Sequence, residues 1–169
     1  MLLVQEKQLI SRSFRNMPDI NLKKYDHIKS FLLVGVQFIC IFYLLVAGDH
    51  SKFDFTAAIF LVAAMILIFW SLLSMRKSKL RVFPTPAQDA VLITNGPYRW
   101  VRHPMYSSLL MGGTGLLIDQ FSLDRFLIFL LLAIVLHFKM SWEEKMLQLK
   151  FSSYHQYMKS SYRLFPFIY

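Results

Sequence analysis

Four long apolar runs divide the chain, and most of its polar residues collect between them. A bilayer core of about 30 Å is crossed by about 20 helical residues, so the first two runs are long enough to span it. A helix is the expected form because it pairs its own backbone N–H and C=O groups in lipid. The third run is short and carries three glycines, so it either starts inside the membrane or is shielded by neighbouring helices. The runs are Phe31 to Gly48, Phe55 to Leu73, Met105 to Ile118, and Phe121 to Phe138.

The residues that flank these runs predict the topology. The fourth run reaches the length of a span only if Asp124 and Arg125 lie at the membrane interface. Basic residues concentrate before the first run, between the second and third, and after the fourth, whereas the other two loops hold only Lys52 and Arg125. This alternation is the positive-inside pattern of four spans, with both ends and the central loop in the cytoplasm. We expect a multi-pass protein, in a bacterial cytoplasmic membrane in preference to an intracellular eukaryotic one.

The composition is that of a membrane protein and differs from that of an ordinary soluble globular protein. Hydrophobic residues make up 56% of the chain and charged residues only 17%, below the roughly 25% of ordinary globular chains. Because the positive-inside pattern accounts for the net charge of +9, no nucleic-acid partner is needed, and the expected partner is the lipid bilayer. Cys40 is the single cysteine, so we expect no internal disulfide, and no metal site is predicted.

The polar segments divide the chain into three predicted parts. Residues 1–30 form an amphipathic segment on the cytoplasmic membrane surface or, alternatively, a partly disordered tail. Residues 31–73 form a first transmembrane hairpin, and residues 74–169 form a second half with the long loop, a second transmembrane hairpin and a C-terminal helix. The predicted fold class is an all-α membrane protein with about four transmembrane helices, an amphipathic N-terminal segment, a long cytoplasmic loop and a C-terminal cytoplasmic helical extension.

The long loop and the C-terminal extension show local patterns. Pro84 and Pro86 break any helix in the loop, after which Ala90 to Thr94 predicts an extended piece that ends in a turn at Gly96. The apolar content of the loop predicts that it folds back onto the membrane domain. After the fourth run the helical pattern continues, with no glycine or proline to end it before Pro166.

The stretch GPYRWVRHPMY, Gly96 to Tyr106, crowds polar residues at the mouth of the third run. Pro104 suits the first position of a helix and pushes His103 out of the helical conformation. An anion would find Arg99, Arg102 and the positive end of the helix dipole there. Taken singly, such arginines are typical headgroup contacts and the aromatic residues are typical of membrane interfaces. Their density favours a site that holds a carboxylate or phosphate.

Glu143 and Glu144 are the second polar feature. Adjacent carboxylates beyond a membrane helix often belong to a solvated face, here with Lys139 and Lys145 as neutralising neighbours. Acids that face the interior of a helix bundle are functional candidates instead, and they would complement a cationic ligand. An anion site, a carboxylate pair and many aromatic rings together suit S-adenosylmethionine, a zwitterion whose sulfonium is stabilised by aromatic faces.

The second half of the chain carries these features in a distinctive order. GPYRWVRHPMY is followed by a glycine-bearing apolar helix, a further apolar helix, the acids Glu143 and Glu144, then Tyr154, Tyr157 and RLFP. Roughly residues 85 to 167 thereby resemble the integral-membrane methyltransferases grouped around isoprenylcysteine carboxyl methyltransferase and the phospholipid N-methyltransferases. The resemblance implies methyl transfer from the cofactor S-adenosyl-L-methionine to a lipid-like or small hydrophobic acceptor.

The resemblance also implies roles for individual residues. Arg102, His103 and Glu144 take catalytic positions, and Lys139 takes the position of a substrate-contacting basic residue that is often arginine. A lysine lacks the planar bidentate grip of arginine, so the identity of the acceptor stays open. The implied cofactor-binding residues are Ala90, Val91, Leu92, Ile93, Tyr98, His103, Pro104, Met105, Tyr106 and Glu143.

Two other functions remain open at this point, as does the oligomeric state. One is a non-catalytic membrane scaffold or accessory subunit whose polar stretch anchors loops. The other is a membrane reductase of the sterol type, which uses a nicotinamide cofactor. The methyltransferase interpretation requires that the corner at His103 and Pro104 and the acids Glu143 and Glu144 meet across a helical hairpin. Its acceptor could be a prenylcysteine carboxylate, a phospholipid amine, a thiol or another lipid.

Overall fold

The structure is a computed structural model that describes residues 19–48, 54–76 and 91–166, with side chains described from residue 31 onward. Over these ranges the chain is helical and contains no strand, as the predicted fold class requires. Residues 1–18 of the predicted amphipathic segment and residues 77–90 of the long loop lie outside the described ranges. The helices are α1 (Asp19–Val46), α2 (Phe55–Met75), a short 3-10 helix (Gly96–Arg99), α3 (Pro104–Asp119), α4 (Leu123–Lys150) and α5 (Tyr154–Lys159).

Each predicted apolar run falls largely within one helix, although the first run extends two residues past α1 and the fourth starts two residues before α4. Local signals fix where two of these helices begin. The Asp54 side chain caps α2 by accepting hydrogen bonds from the backbone N–H groups of Thr56 and Ala57, at 2.7 and 3.2 Å. Such a cap satisfies donors that the first helical turn leaves unpaired. Pro104 occupies the first position of α3, where its missing N–H costs nothing.

The helical extension after the fourth run is confirmed only in part. It continues to Lys150, but Phe151 then adopts an extended conformation (φ −114°, ψ 112°) and the separate helix α5 begins at Tyr154. The expectation that nothing ends the helix before Pro166 is therefore wrong. The break falls at Ser152 and Ser153, a residue type that competes with helical hydrogen bonding and favours turns.

The short helix α3 is shielded by its neighbours, one of the two alternatives that its glycines allowed. Its most extensive contact is with α2, and α1 packs chiefly against α4. A Cβ atom on Gly115 would lie 2.9 Å from the Phe60 Cβ atom and 3.1 Å from the Ala57 carbonyl oxygen, so only glycine permits this approach. The common core lies where α1, α3 and α4 meet, and its buried members are Cys40, Leu44, Leu116, Leu132 and Leu136.

A polar network ties the loops together at the end of the bundle where α4 begins. The Arg125 guanidinium is buried and donates hydrogen bonds to the carbonyl oxygens of Gln120 and Leu44, at 2.8 and 3.0 Å. Next to it, the Tyr43 hydroxyl donates to an Asp124 carboxylate oxygen at 2.7 Å. Arg125 thus satisfies carbonyl oxygens at the end of α1 and in the loop between α3 and α4, which holds the two hairpins together.

The outer surface of the bundle is apolar. Among the described residues, one helix, Phe55–Met75, is both long and apolar enough to cross a membrane, and the apolar part of α1, Phe31–Val46, is shorter. Large side chains on α2 point outward, with Met65 67% exposed and Phe69 64% exposed. Water would make this surface unfavourable, whereas lipid tails accept it without cost.

The close approach of α2 and α3 yields a stability prediction. We expect Gly115→Ala to lower the melting temperature of the detergent-solubilised protein, because overpacking costs about 1–3 kcal/mol. That exceeds the gain of up to about 1 kcal/mol from the better helix propensity of alanine. Gly35→Ala is the matched control, since a Cβ atom there meets nothing within 4 Å. Equal melting temperatures for the two variants would contradict the packing described for Gly115.

Candidate functional site

The chain approaches the site through the 3-10 helix, which packs against the end of α2. Gly96 has φ +60°, and a side chain there would clash with Ser74, because its Cβ atom would lie 2.3 Å from the Ser74 Oγ atom. The Trp100 ring lies edge-on to Trp70 with centroids 6.0 Å apart. The described end of the long loop therefore folds back onto the helices, as predicted, and turns at Gly96.

The chain then bends sharply at residues 102–106, which we call the corner. His103 precedes α3 with non-helical angles (φ −124°, ψ 58°), as expected for a residue before proline. Its side chain is only 6% exposed, although it lies at the end of a helix. The bend therefore aims the imidazole inward, toward α4.

Glu143 and Glu144, which we call the acid pair, meet the corner directly. The Tyr106 hydroxyl donates to the Glu143 Oε1 atom at 2.5 Å, and the His103 Nε2 atom lies 3.2 Å from the Glu144 Oε1 atom. The His103 and Tyr106 rings are stacked, with centroids 5.6 Å apart and planes inclined by 12°. The predicted meeting of corner and acids across the α3–α4 hairpin is confirmed as geometry.

Glu144 is the more strongly held of the two acids. Its carboxylate lies 3.0 Å from the Arg102 Nε atom and 3.3 Å from the Arg163 Nε atom, in addition to its contact with His103. Burial by itself raises the pKa of Glu144. The hydrogen bond and charge of His103 and the two arginines oppose burial and together lower this pKa to about 2. Glu144 is therefore a fixed anion and a poor base.

This arrangement assigns the hydrogen of the His103 ring. An ionised carboxylate only accepts hydrogen bonds, so the nitrogen that faces Glu144, Nε2, carries the proton in the contact. The other nitrogen, Nδ1, faces Glu143, with 3.7 Å to its Oε2 atom. In a neutral ring, Nδ1 is therefore the nitrogen that can accept a proton.

Residues 160–164, which we call the C-terminal segment, run beside the corner and fix it. The Arg102 N–H donates to the Tyr162 carbonyl oxygen at 2.8 Å, and the Tyr162 N–H donates to the Trp100 carbonyl oxygen at 2.8 Å. The Arg102 guanidinium also donates to carbonyl oxygens of Met158, at 3.1 Å, and Ser161. The anion that Arg102 holds in the structure is thus the side chain of Glu144, while Arg99 is exposed.

Arg163 is a site residue to which sequence reasoning gave no role. Besides Glu144, its guanidinium contacts Ser141, donating from Nη2 to Oγ at 2.6 Å. Ser141 and Glu144 are three positions apart and lie on one face of α4, and the C-terminal segment packs on this face through Arg163. The RLFP string contained the residue, but nothing local in it indicated Glu144.

Lys139 lies on the other side of the corner, nearer the middle of the bundle. Its side chain is 4% exposed, and its Nζ atom lies 5.1 Å from the centre of the Tyr106 ring. The ammonium donates to the Gln37 Oε1 atom on α1 at 3.0 Å, and both side chains are buried. The predicted substrate-contacting position is therefore next to the corner, and Gln37 is a neighbour that the sequence analysis missed.

Tyrosines enclose the acid pair from the side of the C-terminal segment. The Tyr157 hydroxyl donates to the Tyr98 carbonyl oxygen at 2.5 Å. Burial, the adjacent Tyr157 and the charge of Glu143 raise the pKa of Tyr98. The Tyr154 ring is 1% exposed, and within the described part of the chain its hydroxyl has no hydrogen-bond partner. Burial and then the charge of Glu144 raise the pKa of Tyr154, which places it within electrostatic reach of the acid pair.

The remaining predicted cofactor residues lie on the approach and at the start of α3. Val91 is exposed, Leu92 half-buried and Ile93 buried, while Ala90 lies outside the described residues. Pro104 is buried, and the Met105 carbonyl oxygen accepts a hydrogen bond from the Ser108 hydroxyl at 2.7 Å. The structure therefore places Tyr98 and the corner next to the acid pair. Residues 91–93 precede the 3-10 helix that leads to the corner.

An apolar cavity of about 140 Å³ lies between the helices below the corner. Ser108, Gly112 and Gly113 of α3 line it on one side, and Leu132 of α4 lines it on another. Exposed residues at its rim, such as Met65, connect it with the apolar outer surface. The cavity can therefore exchange hydrocarbon with the surroundings of the bundle.

These features define a helical bundle with a lipid-compatible surface, a buried acid–histidine corner and an apolar cavity beside it. A sequence model of the phospholipid methyltransferase family matches residues 53–154, which is more than half of the 169 residues. The chain belongs to the phospholipid methyltransferase family, a family of integral-membrane methyltransferases. Comparison with curated proteins and with solved structures gives no significant match.

The lowered pKa of Glu144 predicts a distinct pH dependence of stability. Its folded pKa of about 2 lies below the ordinary value of 4.5, so its stabilisation is complete above pH 4.5 and is lost as pH falls toward 2. Glu144→Gln should destabilise the protein by on the order of 3 kcal/mol at neutral pH, because it leaves two half-buried guanidinium groups without their anion. The variant should also lack this acid-dependent component.

Melting temperatures measured from neutral to acid pH test this expectation. Glu143→Gln, the same change on the next residue, is the control. It removes the negative charge of Glu143 but keeps an oxygen that can accept from the Tyr106 hydroxyl, and it takes no anion from an arginine. If both variants melt alike at every pH, the role given to Glu144 is wrong.

Proposed function

We propose that the protein is an S-adenosylmethionine-dependent methyltransferase that acts on a lipid-like acceptor. The observation that carries the proposal is the direct contact of the acid pair with the corner, at 2.5 Å for Tyr106 with Glu143 and 3.2 Å for His103 with Glu144. Membership of the phospholipid methyltransferase family supports the reaction class. The acid pair adds a physical reason, since it concentrates negative charge beside aromatic rings in a half-buried place.

The residues present fit a ligand with both cationic and polar groups. Glu143 holds one hydrogen bond from Tyr106, so its carboxylate can still accept a hydrogen bond from an ammonium, and its charge would attract a nearby sulfonium. The buried Tyr154 hydroxyl, unpaired among the described residues, supplies a donor close to the same acids. When bound, S-adenosylmethionine supplies an electrophilic methyl group. Orphaned buried donors of this kind are typical of sites that complete their hydrogen bonds with a ligand.

The contacts divide the polar residues by task. Glu143 binds the cofactor, with Tyr98 and Tyr106 beside it. Glu144 and Arg102 are saturated by each other and by the C-terminal segment, which supports a positioning role in place of the direct catalytic role that the sequence predicted. His103 holds its Nε2 proton toward Glu144 and keeps Nδ1 for a proton from an amine acceptor. A carboxylate acceptor requires no base.

The acceptor reaches the corner from the lipid side. Lys139, Leu136 and Leu132 lie along one face of α4, and the cavity begins at Leu132, about 10 Å from Lys139 along the helix. The Tyr106 ring contacts the Lys139 ammonium at one end of this path. A hydrocarbon chain in the cavity would thus place its polar head at Lys139, next to the acid pair. Lys139 is proposed to contact the acceptor.

The proposed topology has four transmembrane helices, α1 to α4, with the corner and the C-terminal segment on the cytoplasmic side. The apolar outer surface of α2 supports membrane insertion, and the distribution of basic residues supports this orientation. Arg125, on the opposite side in this topology, is buried and bonded to carbonyl oxygens. It therefore adds no exposed positive charge to that surface.

Ligand-induced stabilisation tests the proposal. S-adenosylhomocysteine should raise the melting temperature of the purified protein, because a ligand that binds the folded state alone stabilises it by mass action. NADPH should leave it unchanged, which separates the proposal from a nicotinamide-dependent reductase. Glu143→Ala should weaken S-adenosylhomocysteine binding by at least about tenfold through loss of the acidic contact. Transfer of tritiated methyl groups to added membrane lipids and prenylcysteine analogues should fall in parallel.

Asp124→Ala is the matched control for this experiment. It also removes a carboxylate from α4, but at the far end of the helix, about 28 Å from Glu143. It should leave the S-adenosylhomocysteine response intact. A wild-type protein that ignores S-adenosylhomocysteine is a scaffold or a different enzyme, and a Glu143→Ala variant that binds it normally removes the assignment of that residue.

A further inference from the structure

Gln37 and Lys139 form a buried polar contact in which one partner is charged and the other is neutral. The Lys139 ammonium donates to the Gln37 Oε1 atom at 3.0 Å, and the side chains are 7% and 4% exposed, respectively. In the part of the chain that the structure describes, no carboxylate oxygen lies within 4.0 Å of the Lys139 Nζ atom. An amide satisfies a hydrogen bond of the ammonium but brings no counter-charge into contact with it, and the charge of Glu143 acts on it from farther away. A buried charge with no counter-charge in contact is costly, which calls for an explanation.

The position of Gln37 on α1 suggests why this contact is present. Among the α1 side chains described, those from Phe31 onward, it is the buried polar residue in an apolar stretch, and it lies outside the segment matched by the family model. The glutamine draws the ammonium toward α1, away from Glu143, which stands one helical turn further along α4, about 6 Å by helix rise. Polar residues inside a membrane bundle are functional candidates together with their partners.

The ammonium so held faces the path of the acceptor. Its Nζ atom lies over the Tyr106 ring, whose hydroxyl contacts Glu143, so it borders the acid pair on one side. On the other side, Leu136 and Leu132 continue the same face of α4 toward the apolar cavity. A molecule with its tail in the cavity would therefore bring the group next to its head against a positive charge.

We infer that Gln37 is a positioning and specificity-determining residue. By anchoring Lys139 without neutralising it, Gln37 makes the site select acceptors that carry a negative charge beside the methyl-accepting atom. This inference rests on the proposed function, in which the cavity and Lys139 receive the acceptor. Both a carboxylate and a phosphate monoester or diester have the required chemistry. α1 thus contributes the residue that sets the charge preference of a site built otherwise from α3, α4 and the C-terminal segment.

Amphiphiles that differ only in charge test the inference without any need for turnover. One pair is dodecanoate and its methyl ester; the other is dodecyl phosphate and dodecanol. Binding is measured by thermal shift of the full-length protein in the presence of S-adenosylhomocysteine. The wild-type protein should bind at least one anion about tenfold more tightly than its neutral partner. The Lys139 ammonium, held by an amide, attracts a negative charge strongly in a medium of low polarity. The pair that shows the preference distinguishes carboxylate from phosphate.

Gln37→Glu is the decisive variant, since it keeps the shape and adds the missing counter-charge. For this variant, the ratio of the affinities for the anion and its neutral partner should fall to about one. Gln156→Glu, the same change at an exposed residue of α5, should keep the wild-type ratio. Gln37→Met, which removes the anchor and adds no charge, should reduce the preference in part, because Lys139 can then turn to Glu143. In a Lys139→Met background, Gln37→Glu should have no further effect on the ratio.

The outcomes separate this inference from the proposed function. A wild-type protein that binds each acid and its neutral partner equally overturns the inference, as does a Gln37→Glu variant that keeps the full preference. A merely structural Gln37 would lower the melting temperature and leave the ratio unchanged. If S-adenosylhomocysteine causes no shift by itself while the anion preference persists in its absence, the methyltransferase assignment fails and the charge-selective site stands.

Discussion

The site depends on one carboxylate, that of Glu144, which gathers Arg102, His103 and Arg163 around it. These partners come from the turn before α3 and from the C-terminal segment, while Glu144 itself is on α4. A half-buried ion needs partners of opposite charge, and their directions are fixed by hydrogen-bond geometry. The carboxylate therefore determines how three separate stretches of chain lie relative to one another, and with them the orientation of the His103 ring.

The two neighbouring acids consequently differ although the sequence presents them as a pair. Glu144 is surrounded by hydrogen-bond donors and positions the chain segments around it. Glu143 accepts a hydrogen bond from one tyrosine hydroxyl and can still bind a ligand. Adjacent positions on a helix point about 100° apart, so Glu144 reaches Arg163 of the C-terminal segment as well as Arg102 and His103, whereas Glu143 faces Tyr106. Along α4, the acids are followed by Lys139 and then by Leu136 and Leu132, so the polarity of this helix face decreases toward the apolar cavity.

Much of this could be predicted because the signals are local. Phe55 after a capping aspartate and Pro104 after a bend mark helix starts, and the run of apolar residues marks the helices themselves. The break at Phe151 was missed, since a serine pair is a weaker signal than glycine or proline. Gln37 was missed for another reason: its partner Lys139 lies 102 positions away, and a lone glutamine in an apolar run carries no information about what it will meet.

The contact between Arg163 and Glu144 also bears on how the protein is made. Because α4 precedes the C-terminal segment in the chain, Glu144 leaves the ribosome before Arg163 does and at first lacks one of its arginines. Arg102 likewise waits for the carbonyl oxygens of Met158 and Ser161. The corner is therefore complete only after this segment has left the ribosome and docked against α3 and α4.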